Sequence, residues 1–97
     1  MRFSELIQSE RPTLVDFYAD WCGPCKAMNP VVQELTRQID GKAKVIKVNI
    51  DKNRDAVNHF GVRGVPTFML FKNGEIVWQH IGGTSLNNLK DAIELHA

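Results

Sequence analysis

The sequence predicts an α/β domain: a mixed β-sheet of four strands with helices on both faces. Three observations lead there. Short apolar stretches of strand length alternate with stretches whose apolar residues recur every three or four positions. The first strand is apolar on both of its alternating faces apart from Asp16, the pattern of a strand covered on two sides. The last two strands are joined by Asn73-Gly74, a pair that tolerates the positive φ of a two-residue hairpin turn.

Taken in chain order, Phe3, Leu6 and Ile7 recur at helical spacing after a cap at Ser4, giving a short first helix that stops before Pro12. Residues 13–19 read as the central strand. After Cys25 the apolar residues Ala27, Met28, Val31, Val32, Leu35 and Ile39 mark one face of a long helix that ends near Asp40-Gly41, with Pro30 expected to kink it. Residues 44–50 form a second strand, and residues 51–60 a shorter helix with Ala56, Val57 and Phe60 on one side. Two strands separated by a helix run parallel, whereas residues 67–72 and 75–80, joined by the Asn-Gly turn, run antiparallel. Ser85 caps a last helix whose face carries Leu86, Leu89, Ala92, Ile93 and His96.

The size and charge of the chain exclude several functions. Its 97 residues suffice for a single domain over 1–97 with one compact core. It is 43 % hydrophobic and 24 % charged, with a net charge of +1, so no long-range field gathers nucleic acid or an anionic membrane. No apolar run approaches the ~20 residues of a membrane span. The first twelve residues lack the apolar core of a secretory signal, and a cytoplasmic protein is the expectation.

Only two cysteines occur, three positions apart, too few for the bridge framework of a small secreted fold. Their work is therefore chemical. A chain that leaves a strand and enters a helix between Cys22 and Cys25 places the first cysteine at the helix amino terminus. Unpaired amides and the macrodipole there stabilise a thiolate, the attacking species in thiol-disulfide exchange. Gly23 and Pro24 let Cys25 sit one turn below, so the sulfurs can join or part with little backbone change. Cys22 would then attack a target disulfide, and Cys25 would resolve the mixed disulfide.

Trp21-Cys22-Gly23-Pro24-Cys25, between the central strand and the long helix, resembles the active-site motif of the thioredoxin family. The similarity continues through Val15-Asp16-Phe17, Pro30, Lys47-Val48-Asn49-Ile50-Asp51, Gly64-Val65-Pro66-Thr67, Phe71-Lys72-Asn73-Gly74 and Gly82, covering nearly everything from Leu14 onward. The resemblance implies a thioredoxin fold and a protein disulfide reductase that keeps cellular thiols reduced. It implies no bound cofactor, protein disulfides as substrates, and a flavoenzyme thioredoxin reductase using NADPH as electron donor. It makes Cys22 the nucleophile, Cys25 the resolving thiol, and Asp16 a buried acid beneath Cys25 that moves its proton, with Lys47 as its neighbour. It makes Pro66 a cis proline facing the disulfide, with Val65 offering backbone hydrogen bonds to substrate. Trp21, Gly23, Pro24, Ile50, Ile81, Gly82 and Gly83 would line the contact surface, and the protein would act as a monomer.

The sequence departs from the family in places. A further amino-terminal strand, usual in the family, would make the sheet five-stranded, but this chain begins too late to supply much of it. Tyr18 stands where Trp is frequent, and Trp78 and Gly83 are atypical.

Read from the residues alone, other roles stay open. A Cys-x-x-Cys pair is half of a zinc site, for which His59, His80 and His96 are the available partners, although no paired spacing joins them. Asp16 interrupting an apolar strand is a costly group that points to function, or a satisfied structural one. Lys47 is its charge partner or an ordinary strand lysine lying along apolar surface. Pro66 could open a strand in the trans form. The protein could also be an oxidase or isomerase, or a binding scaffold whose thiols are incidental.

Overall fold

The computed structural model describes residues 3–97. Its elements are α1 (Phe3–Leu6), β1 (Thr13–Tyr18), α2 (Gly23–Ile39), β2 (Lys44–Asn49), α3 (Arg54–Phe60), β3 (Thr67–Lys72), β4 (Glu75–Ile81) and α4 (Leu86–Leu95). Among the described residues the sheet has four strands in the order β2-β1-β3-β4. β1 pairs with β2 in parallel and with β3 antiparallel, and β3 pairs antiparallel with β4. A fifth strand would fall at the start of the chain, where Met1 and Arg2 lie outside the described residues.

Strand alternation divides the core in two. Leu14, Phe68 and Leu70 point to one face and pack with Met28, Val32, Leu35 and Ile39 of α2 and Leu89, Ala92 and Ile93 of α4. Val15, Phe17, Met69 and Phe71 point to the other and pack with Ile7, Phe3 and Phe60 from the α1 and α3 side. Successive strand residues face opposite ways, so Asp16 shares the α2 side with Leu14. Lys47, the register partner of Asp16 on β2, shares that side with Val45.

Element ends differ from the sequence reading in ways local hydrogen bonds explain. Helix α1 already includes Phe3, so Ser4 is not its cap. Helix α3 starts at Arg54 rather than residue 51. The Asn49 side-chain oxygen accepts the Asp51 N–H at 2.8 Å, and the Asn49 carbonyl accepts the Lys52 N–H at 3.2 Å, holding this stretch in a turn. Helix α2 runs unbroken through Pro30 and ends on Asp40, itself left-handed at φ 43°, before Gly41 at φ 84°. The two-residue turn has positive φ at both Asn73 (54°) and Gly74 (82°), the geometry that matches strand twist. At α4 the Ser85 hydroxyl accepts the Asn88 N–H at 3.1 Å, as its position implied. His96 closes that helix instead of extending its apolar face, and its carbonyl accepts Lys72 Nζ at 3.1 Å.

Candidate active site

β1 ends beside β2 at the carboxyl edge of the parallel pair, and the loop that leaves it delivers Cys22 to the first turn of α2. Cys22 is the N-cap residue, extended at φ −93°, ψ 111°, with Gly23 and Pro24 as the first helical residues. Its Sγ accepts the backbone N–H of Cys25 at 3.1 Å, the bond that a capping side-chain oxygen makes elsewhere. Here a sulfur fills that role, so whatever negative charge it carries faces a helix amide and the positive end of the dipole. Pro24 has no N–H to lose at this position, and its fixed φ suits a first turn. Cys22 and Cys25 form a disulfide, with Cα atoms 5.3 Å apart.

Both cysteines are buried, each 4 % exposed, in a small apolar cluster with Ala19, against which Tyr18, Ile50 and Val65 pack. The large exposed groups nearby are different ones: Trp21 is 68 % exposed and Ile81 67 %. Val65-Pro66 is a cis peptide, and the Pro66 carbonyl accepts the Gly82 N–H at 2.7 Å, tying the β3 entry to the β4 exit. Gly82, at φ 96°, makes the bend that a side chain would strain. Ile81 closes over Gly64, and Gly83 lies against Met28 of α2.

On β1, on the α2 side of the sheet, Asp16 is 1 % exposed and its Oδ1 has no hydrogen-bond partner. Burial pushes its carboxyl up from 3.8 to about 6, and the charge of Lys47 pulls it partly back. Lys47 is indeed the register partner of Asp16, but its ammonium does not bind the carboxylate. It donates to Asn29 Oδ1 of α2 at 2.8 Å and sits 4.5 Å above the Tyr18 ring. Lys47, Asn29 and Tyr18 line a cavity of about 290 Å3 that reaches Cys25.

Two asparagines in this arrangement escaped the sequence reading. Asn29 lies four residues after Cys25, on the same helix face, and that spacing alone could have raised it. Asn49, 7 % exposed, stitches the loops together: its Oδ1 holds the Asp51 N–H, and its Nδ2 donates to Asp20 at 3.3 Å. Asp51 in turn accepts the Trp21 indole N–H at 3.0 Å, fixing the exposed ring. Among the described residues no group of three or more His, Cys, Asp or Glu side chains could hold a metal ion, and no helix is long and apolar enough to cross a membrane.

A strand-to-helix disulfide whose first sulfur caps the helix, set on a four-stranded mixed sheet, defines a thiol-disulfide oxidoreductase. Comparison with known proteins agrees. The family model described as Thioredoxin matches residues 1–95. The thioredoxin of Rickettsia conorii (strain ATCC VR-613 / Malish 7) is 47 % identical over 89 residues, covering 92 % of this chain and 85 % of its own. Among solved structures, a mutant thioredoxin from Halobacterium salinarum NRC-1 superposes with a TM-score of 0.86 at 41 % identity, over 96 % of this chain and 80 % of that one. The thioredoxin of Malassezia sympodialis gives 0.88 at 32 % identity, over 97 % and 82 %. The chain belongs to the thioredoxin family, and its chemistry is dithiol-disulfide exchange through Cys22 and Cys25.

Proposed function

We propose that the protein is a general protein disulfide reductase in which Cys22 attacks, Cys25 resolves and Asp16 takes the proton of Cys25. The Cys22 thiolate attacks one sulfur of a target disulfide, forming a mixed disulfide and expelling the other target sulfur as a thiolate that gains a proton from solvent. Asp16 then accepts the proton of the Cys25 thiol. The Cys25 thiolate attacks Cys22 Sγ, closing the internal disulfide and releasing the second target sulfur as a thiolate that takes a proton from solvent, to which Asp16 returns its own. A carboxyl raised to about 6 is ionised at neutrality yet basic enough to accept a proton, which suits a general base. Lys47 tunes that basicity through its charge.

Trp21, Gly23, Pro24, Val65, Pro66 and Gly82 form the surface that receives an extended segment of the target, with the Val65 backbone as its hydrogen-bonding partner. The exposed Trp21 and Ile81 support this, because an apolar rim around a buried disulfide gains from being covered. Residues 1–97 act as one domain and as a monomer. The substrates are exposed protein disulfides, the electron donor is thioredoxin reductase, and the reducing compartment that suits this direction is the cytoplasm.

The observation that carries the assignment is the Cys22 sulfur capping α2 at the Cys25 amide. Trapping tests it. The Cys25→Ser variant, mixed with a disulfide-bonded protein such as insulin, accumulates a mixed disulfide through Cys22, seen as a heavier band on a non-reducing gel. Cys22→Ser accumulates none. Capture by Cys25 in the Cys22→Ser variant would reverse the roles.

A further inference from the structure

Asp16 and Lys47 stand opposite each other in the β1/β2 register, on the same side of the sheet, yet no salt bridge joins them. The carboxylate keeps Oδ1 unpartnered, while the ammonium has two other attachments, Asn29 Oδ1 at 2.8 Å and the Tyr18 ring at 4.5 Å. Tyr18 is two residues beyond Asp16 on β1, and Asn29 is one helical turn beyond Cys25 on α2. Lys47 faces Asp16 across the register and its charge lowers that carboxyl's pKa, so the two groups attract each other. Lys47 is itself exposed, so water and these two groups together hold its ammonium over the cavity beside Cys25.

We infer that Asn29 and Tyr18 are positioning residues that hold the Lys47 ammonium away from Asp16, leaving that carboxylate free to take the proton of Cys25. The function of the clamp rests on the role proposed for Asp16, but its geometry does not. The hydrogen bond to Asn29 sets how far Lys47 stands from the carboxylate, and the aromatic face of Tyr18 keeps the ammonium favourable without a counter-ion. The other charged or titratable groups around this cavity are Lys26 and Cys25 from α2 and Asp20 from the loop after β1. All of them are kept by the substitutions below.

The test is the titration of the Asp16 carboxyl, followed by carbon-13 NMR of the oxidised protein, in wild type, Asn29→Ala, Lys47→Met and the double variant. Ala is a better helix former than Asn, so Asn29→Ala keeps the fold. With the clamp released, Lys47 moves to the carboxylate and the Asp16 titration falls by about one pH unit or more, the range for an opposite charge at 4–6 Å. Lys47→Met raises it, and in the Lys47→Met background Asn29→Ala no longer lowers it. A role of Asn29 in general packing would not make its effect depend on Lys47. An unchanged or upward shift in Asn29→Ala, or a downward shift that persists without Lys47, overturns the clamp.

The rate at which Cys25 resolves a preformed mixed disulfide, read across pH in the same variants, separates the two ideas. A titration shift accompanied by a matching shift of the rate profile supports both. A titration shift with an unmoved rate profile supports the clamp and rejects Asp16 as the proton acceptor.

Discussion

Replacing Asp16 by Asn should make the protein more stable at neutral pH and remove much of its stability change with pH. The carboxyl titrates from 3.8 in the unfolded chain to about 6 in the folded one, because burial disfavours its charge more than Lys47 favours it. Between those two values the folded state holds more protons than the unfolded state, so stability falls as pH rises through this window and stays low above it. A rise of about 2 units, at ~1.4 kcal/mol per unit, is worth about 3 kcal/mol. The neutral amide carries no such penalty. Urea unfolding of the oxidised protein, followed by far-UV circular dichroism from pH 4 to pH 8, should show the advantage of Asp16→Asn growing across this range towards about 3 kcal/mol. Equal pH dependence in the two proteins would mean that Asp16 is not held at a raised value, and the argument for its role as a base would fail with it.

Other substitutions test the remaining parts. Trp21→Ala removes an exposed ring, so stability should change by less than about 1 kcal/mol. The kcat/KM for a protein disulfide should fall about tenfold, the equivalent of ~1.4 kcal/mol of aromatic contact, with little change for a small synthetic disulfide. Equal losses on both substrates would place Trp21 in the chemistry rather than the docking surface. Leu35→Ala, at a position with no solvent exposure in the α2/α4 core, should cost about 2–5 kcal/mol in the same urea experiment; a cost below 1 kcal/mol would contradict the packing described. Asn49→Ala should speed hydrogen exchange at the Asp51 amide, whose acceptor it removes, and exchange at the wild-type rate would show that the loop is held by other means.

Much of the fold was legible because burial writes itself into the strands and helices. The doubly apolar β1, the helical recurrence from Ala27 to Ile39 and the Asn73-Gly74 turn each have one economical reading, and each forms as read. The ends of elements were less legible, since they depend on partners distant in sequence or on local competition. Asn49 delays α3 by accepting the Asp51 amide, and His96 is spent as a cap with its carbonyl on Lys72. The site divides in the same way. The disulfide and its helix cap follow from the Cys22–Cys25 spacing, and the burial of Asp16 from its place in an apolar strand. The destination of Lys47 does not follow, because register brings it opposite Asp16 while Asn29, eighteen residues away in sequence, takes its ammonium.

The central claim is that the amino terminus of α2 makes the Cys22 sulfur a ready thiolate. The most direct measurement is the pH dependence of alkylation of the reduced protein by iodoacetamide, with the modified residue mapped by mass spectrometry. Cys22 should react first, with a rate that rises with a midpoint well below the ~8.5 of an unperturbed thiol. A midpoint at or above that value, or modification of Cys25 before Cys22, would contradict it.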